Sequence, residues 1–143
     1  MKKKVLFLCT HNSARSQMAE GLLRSLFGDK YEAFSAGTEP GNVHPKAIKV
    51  MKEIGIDISK HYSKNVKEFI KDDFDYVITV CGGAKESCPF FPGGKQQFHK
   101  DFEDPSSFSG NEEKVLDKFR EIRDALKEWI EKFFEKNPID NSF

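Results

Sequence analysis

The stretch that most constrains this chain is its beginning. An apolar run, Val5-Leu6-Phe7-Leu8, stops at Cys9. The chain then turns through Thr10-His11-Asn12-Ser13-Ala14-Arg15 and becomes amphipathic from Ser16. A short apolar run bounded by polar residues reads as a buried strand. Met18, Leu22, Leu23 and Leu26 then recur at helical intervals until Gly28. A buried strand feeding directly into a helix opens a βα unit, which restricts the fold to a parallel sheet with helices on both faces. Such sheets bind ligands at the carboxyl ends of their strands, where Cys9 falls.

The alternation continues. Tyr31 to Ser35 reads as a second strand, ended by Ala36-Gly37. Ala47, Ile48, Val50, Met51 and Ile54 form a helix that ends at Gly55, and Val66 to Ile70 a further short helix. Tyr76 to Val80 is the clearest strand, with Cys81 at its end, and Gln97 to His99 is a candidate fourth. Gly82-Gly83, Pro89, Pro92 and Gly93-Gly94 mark a long loop, and Asp101 to Gly110 another. Val115, Phe119, Ile122, Leu126, Trp129, Ile130 and Phe133 trace the apolar face of a last helix. No repeat or linker divides the 143 residues. One α/β domain over residues 1–143 is expected, a single four-stranded parallel sheet flanked by helices.

Charge narrows the function classes. Lys plus Arg equals Asp plus Glu, for a formal net charge of zero. That argues against a nucleic-acid or membrane binder, which carries a basic excess. Lys2-Lys3-Lys4 before the apolar run imitates a secretory leader, but the run is too short and His11, Asn12 and Arg15 follow at once. A cytoplasmic monomer is expected. The three cysteines, Cys9, Cys81 and Cys88, are an odd set, which disfavours a structural disulfide framework. Taken alone, they read equally as three buried thiols packed as small apolar groups.

Between a strand and a helix, the segment Cys9 to Arg15 has the makings of an oxyanion cradle. Backbone N–H groups of such a loop, from Thr10 to Arg15, turn inward as a nest, and the helix adds its positive end. Arg15 supplies a planar fork that holds two oxygens of a tetrahedral anion. The same field favours thiolate over thiol at Cys9, and the Ser16 hydroxyl is placed to bond it. Asn12 tolerates the left-handed backbone that a tight nest requires. The bland alternative is a buried Cys and a surface Arg, because Cys-x5-Arg alone is a weak pattern; the strand before it and the helix after it strengthen it.

The run from Val5 to Gly21, with Ser35-Ala36-Gly37-Thr38 and Pro45-Lys46-Ala47, resembles the low-molecular-weight tyrosine phosphatases and their thioredoxin-coupled arsenate-reducing relatives. The resemblance spans nearly the whole chain. It departs at His11, where Gly is usual, and at Ala14, where a second Cys is frequent. It implies a flavodoxin-like topology, Cys9 as nucleophile and Asp104 of Asp104-Pro105 as the acid that protonates the departing oxygen. It further implies that Cys81 attacks the sulfur of Cys9, releasing arsenite and forming a transient Cys9–Cys81 disulfide. Cys88 then forms a Cys81–Cys88 disulfide that thioredoxin reduces, with no bound cofactor. If residues 81–88 were helical, the two Cα atoms would lie about 10 Å apart. A disulfide needs roughly 4.4–6.8 Å, so the segment must rearrange.

Other readings stay open. A phosphatase working through a Cys9 phospho-enzyme needs neither Cys81 nor Cys88, and a non-catalytic oxyanion-binding redox sensor needs no Asp104. A metal site from Cys81, Cys88 and His99 has wider spacing than usual, so no metal is expected there. Phe102 and Phe108 lie near the acid without a Tyr, which favours a small oxyanion over a phosphopeptide. The resemblance implies potassium at Asn12, Glu20 and Ser35, but Lys64 stands where an acidic ligand belongs, and its ammonium would replace the ion by reaching Glu20 or Asn12. His44 and His61 read as surface residues near helix starts.

Overall fold

The structure, a computed structural model, describes residues 2–80 and 91–136. In chain order it contains strand β1 (Lys3–Cys9), helix α1 (Arg15–Phe27), strand β2 (Tyr31–Gly37) and helix α2 (Pro45–Lys52). A 3-10 turn (Val66–Phe69), strand β3 (Phe74–Thr79), strand β4 (Gly94–His99), a second 3-10 turn (Pro105–Ser107) and helix α3 (Glu112–Lys136) follow. Every pairing is parallel, in the order β2-β1-β3-β4. The chain leaves β1 to one side for β2 and crosses to the other side for β3. The carboxyl end of β1 therefore sits where the strand order reverses and the outgoing loops diverge, leaving a crevice.

From Val5 onward β1 is apolar because both of its faces are covered. Val5, Phe7 and Cys9 join the core beneath the helices, while Leu6 and Leu8 join a second cluster with Phe74, Val77 and Phe91. α1 contributes Met18, Leu22 and Leu23 to the first core. α3 presents Leu116, Phe119, Ile122, Leu126, Ile130 and Phe134 at three- and four-residue intervals. Its buried ridge is rotated slightly from the expected one, leaving Val115, Trp129 and Phe133 half-buried on the flanks. Asn111 starts α3 by accepting from the Lys114 N–H at 2.9 Å, and Glu112 and Glu113 complement the positive end of the helix.

The expectation of helices on both faces is met unequally. α1 and α3 pack together with α2 on one side; among the described residues the other side carries only the Val66–Phe69 turn and Phe91. Strand boundaries also differ from those expected: β3 starts earlier, at Phe74, and ends at Thr79, one residue short of Val80. β2 runs on through Ala36-Gly37 because Leu8 and Cys9 pair with them, and β4 begins at Gly94 opposite Phe74. Pairing with a neighbour outweighs local strand preference at such ends. Among the described residues no helix is long and apolar enough to cross a membrane.

Candidate active site

Cys9 ends β1 and Arg15 begins α1, so residues 10–14 form the turn between them. The carbonyls of this turn are tied down one after another. Thr10 O accepts from Glu39 N (2.9 Å), His11 O from Gly41 N (3.2 Å), Ser13 O from His44 N (2.9 Å) and Ala14 O from Met18 N (2.8 Å). Asn12 O accepts from Ser63 Oγ (2.7 Å) and Gln17 Nε2 (3.1 Å). In a trans peptide the next N–H points opposite the carbonyl. These bonds therefore turn the amides of His11 to Arg15 the other way, as a nest requires. Asn12 has φ 49°, the left-handed conformation that its short amide side chain tolerates. Ala14, which precedes α1, makes no side-chain cap, so no side chain there competes for the first-turn amides.

Gly37 is what lets β2 end against this loop. A Cβ there would come within 2.5 Å of Thr10 O and 2.9 Å of Asn12 N, so any side chain would push the loop open.

Cys9 is 2% exposed, and its Sγ lies 2.8 Å from Ser16 Oγ. Asn12 Nδ2 donates to that same Oγ at 2.8 Å, which leaves the hydroxyl proton for the sulfur. Arg15 is 3% exposed; its Nη1 donates to Phe102 O at 3.0 Å and its Nη2 lies 3.8 Å from Asp104 Oδ2. Phe102 is buried against Trp129 of α3, with centroids 6.3 Å apart, and so anchors the loop that carries Asp104. Asp104 Oδ1 accepts from Ser106 N (3.0 Å) and Ser106 Oγ (2.7 Å), starting the Pro105–Ser107 turn. Cys9, His11, Ser13, Ala14, Arg15, Gly41, Asn42, Asp104 and Ser106 line a cleft of about 200 Å³. His11 is tethered at the rim, with Nδ1 3.0 Å from Glu39 O.

The nest at Cys9 thus brings together Thr10 to Ser16 and Asp104, 87 positions separating Arg15 from the Phe102 that it grips. Cys81 and Cys88 lie outside the described residues. So does most of the metal alternative; His99 is described, and both its nitrogens are engaged, by Thr79 Oγ1 (2.6 Å) and by Asp101. Among the described residues no cluster of His, Cys, Asp and Glu is arranged to hold a metal ion.

A larger cleft of about 430 Å³ opens beside β2, lined by Glu20, Arg24, Tyr62 and Lys64 among others. It has neither nest nor thiol, so the chemistry belongs to the smaller one. The potassium donors lie between the two. Asn12 Oδ1 already accepts from Lys64 N (2.8 Å) and Gln17 Nε2 (2.9 Å). Glu20 Oε1 accepts from Ser35 Oγ (2.5 Å), Glu20 Oε2 accepts from Arg24 (2.6 Å), and the Lys64 ammonium stands 3.6 Å from Oε1. With its oxygens occupied and a fixed positive charge among them, this donor set does not fit a potassium ion.

From the sequence Gln17 has no evident part, and His44 and His61, expected at the surface, are partly buried. Gln17 Nε2 holds Asn12 and Tyr62 O, while its Oε1 meets His61 Nδ1 at 2.9 Å. His44 is no bland surface residue either. It accepts from Lys46 N at 3.1 Å to start α2, and its ring lies 4.6 Å from Phe119. Their polarity concealed them, since only the fold shows which polar groups face inward.

Burial pushes the pKa of both histidines below the ordinary 6.5. Lys46 adds to the effect at His44 and Asp104 opposes it; Glu20 opposes it at His61, where Arg24 and Lys64 add to it. Below 6.5 the unfolded chain therefore takes up protons that the folded one refuses, and stability rises with pH across that window. The melting temperature is expected to fall from about pH 7.5 to about pH 5.5, and less steeply in His44→Asn/His61→Gln. A rise on acidification would contradict this.

The comparisons with known proteins agree with the geometry. The arsenate reductase of Halalkalibacterium halodurans is 43% identical over 134 residues, 94% of this chain and 96% of that one. A solved arsenate reductase in a phosphate-binding state superposes with a TM-score of 0.80 at 40% identity, covering 94% of this chain and 98% of that one. A thioredoxin-dependent arsenate reductase of Corynebacterium glutamicum does so at 0.66 and 29% identity, covering 95% of this chain and 64% of the other. With its sequence profile matching residues 4–141 around this thiol-centred nest, the chain belongs to the low molecular weight phosphotyrosine protein phosphatase family.

Proposed function

We propose that this protein is an arsenate reductase whose electrons pass through three cysteines and come from thioredoxin, acting as a monomer in the reducing cytoplasm. The observation that carries the reading is the nest at Cys9, which shares a cleft of about 200 Å³ with Arg15 and Asp104. The arsenate reductases among its relatives support the choice of substrate. So does the cleft's lining, which holds no Phe, Tyr or Trp among the described residues. Phe102 is buried against Trp129, and Phe108, with the Lys118 ammonium 4.3 Å from its ring centroid, is not part of the cleft's lining.

The electron count closes as follows. The Cys9 thiolate bonds to arsenic, and one oxygen leaves as water after Asp104 donates a proton. Asp104 Oδ1 is committed to Ser106, so Oδ2 is the oxygen that delivers it. Cys81 then attacks Cys9 Sγ. The sulfur–arsenic bond breaks with its electron pair going to arsenic, which leaves as arsenite, and a Cys9–Cys81 disulfide forms. Cys88 attacks Cys81, Cys9 departs as thiolate, and thioredoxin reduces the Cys81–Cys88 disulfide by two electrons. In support, Val80, the residue before Cys81, donates to Leu8 O at 2.9 Å, next to Cys9.

NADPH consumption with arsenate, thioredoxin and thioredoxin reductase tests the reading. Wild type is expected to turn over steadily. Cys88→Ser is expected to stop after about one equivalent while aryl phosphate hydrolysis continues, because that reaction needs only Cys9, Arg15 and Asp104. Normal arsenate reduction by both Cys81→Ser and Cys88→Ser would refute the relay.

A further inference from the structure

Lys64 is 8% exposed although it carries a charge. Its Nζ donates to Tyr62 O at 2.8 Å, lies 3.6 Å from Glu20 Oε1 and sits 4.7 Å from the Tyr62 ring centroid. A buried ammonium persists only when paired in this way. Burial holds its pKa below the ordinary 10.5, and Glu20 opposes that shift.

The main chain around it holds the anion loop from behind. The Lys64 N–H donates to Asn12 Oδ1 (2.8 Å), Ser63 Oγ donates to Asn12 O (2.7 Å), and Lys64 O accepts from Gly37 N (2.9 Å). Asn12 is thereby gripped by both its side chain and its carbonyl at its left-handed φ. It passes the grip on to Ser16 Oγ and so to Cys9. The ammonium fastens this segment twice. Its bond to Tyr62 O folds residues 62–64 on themselves, and its contact with Glu20 secures them to α1, one turn beyond Ser16.

We propose that the Lys64 ammonium is a built-in cation of the anion loop. It fills the place a monovalent ion would take between Glu20 and the Tyr62 carbonyl, and it holds Asn12 in position without any ion from solution. The proposal rests on the reading of the Cys9 loop as an oxyanion site and deepens it. Lys64 is a positioning residue, since it acts on the loop only through Asn12.

Shortening this side chain creates a defined vacancy. Lys64→Ala leaves Glu20 Oε1, Ser35 Oγ and Tyr62 O around a gap that opens into the cleft of about 430 Å³, a route for small cations. Lys64→Met removes the charge but keeps the gap filled.

Phosphate affinity by calorimetry, with melting temperature in parallel, is to be measured in tetramethylammonium, potassium and ethylammonium chloride. Wild type is expected to be indifferent to the salt. Lys64→Ala is expected to bind phosphate roughly tenfold more weakly in tetramethylammonium and to recover most of that loss in potassium or ethylammonium. Lys64→Met is expected to stay weak in all three. A purely structural role would show no recovery by cations. The proposal is overturned if potassium improves the wild type, if Lys64→Ala binds normally without a small cation, or if no cation restores it. Should Lys64→Ala be unfolded in tetramethylammonium, folding on addition of potassium supports the proposal, and no folding in any salt overturns it. If wild type binds no phosphate at all, the oxyanion reading fails, while the effect of potassium on the melting temperature of Lys64→Ala still decides this one.

Discussion

Cys9→Ser is expected to abolish both arsenate reduction and aryl phosphate hydrolysis while leaving phosphate bound. The loop's shape does not come from the sulfur. Its carbonyls are held by Glu39, Gly41, His44, Ser63, Gln17 and Met18, and all of those bonds remain in the variant. A serine oxygen also fits where the sulfur was, at a residue already 2% exposed. Nucleophilicity is lost, because a hydroxyl is almost wholly protonated at neutral pH, and among the described residues its hydrogen-bond neighbour at 2.8 Å is another hydroxyl, Ser16, and not a base. Turnover is expected to drop by at least ~10⁴-fold, the order seen when a catalytic nucleophile is removed. Phosphate affinity by calorimetry is expected to stay within about tenfold of wild type. Residual turnover above about one per cent would place the nucleophile elsewhere.

Arg15→Lys is expected to cost nearly as much, despite keeping the charge. The guanidinium does two things at once that an ammonium cannot. Nη1 satisfies the carbonyl of Phe102, and Nη2 faces Asp104 across the cleft. Lysine presents a single point of charge, so holding Phe102 O means withdrawing from the anion, and the reverse. kcat/KM for arsenate is expected to fall roughly 10²–10³-fold, or ~2.7–4 kcal/mol of transition-state stabilisation. A smaller loss of fold stability, about 1–3 kcal/mol, is expected where Phe102 O goes unpaired, and urea unfolding measures it. If kcat/KM falls less than about fivefold, Arg15 does not grip the reacting anion.

What could be read from the residues differed by element. The strand–loop–helix unit at Cys9 was legible because its parts are consecutive, and apolar periodicity reports strand and helix directly. The same holds for α3, whose ridge appears at Phe119, Ile122, Leu126 and Ile130 as expected. Asp104 was named only through the resemblance; an Asp-Pro pair by itself reads as an ordinary turn. Gln17 and Gly37 were within quoted motifs yet had no assigned task. Gln17 works by bridging Asn12 to Tyr62, and Gly37 by the absence of a Cβ against Thr10; neither is visible until the segments meet. Cys81 and Cys88 remain arguments of chemistry and kinship.

Local order along the chain determined the strand, the turn and the helix at Cys9, and with them the kind of ligand that such a turn holds. These follow from backbone geometry and side-chain period over neighbouring residues, which a linear sequence records in full. Only the folded chain decided what secures the turn: Glu39, Gly41, His44, Ser63 and Lys64 from behind and beside it, and Phe102 with Asp104 across the cleft. Those contacts join residues far apart in sequence, and a hydrogen bond depends on distance and angle in space, which no local pattern encodes.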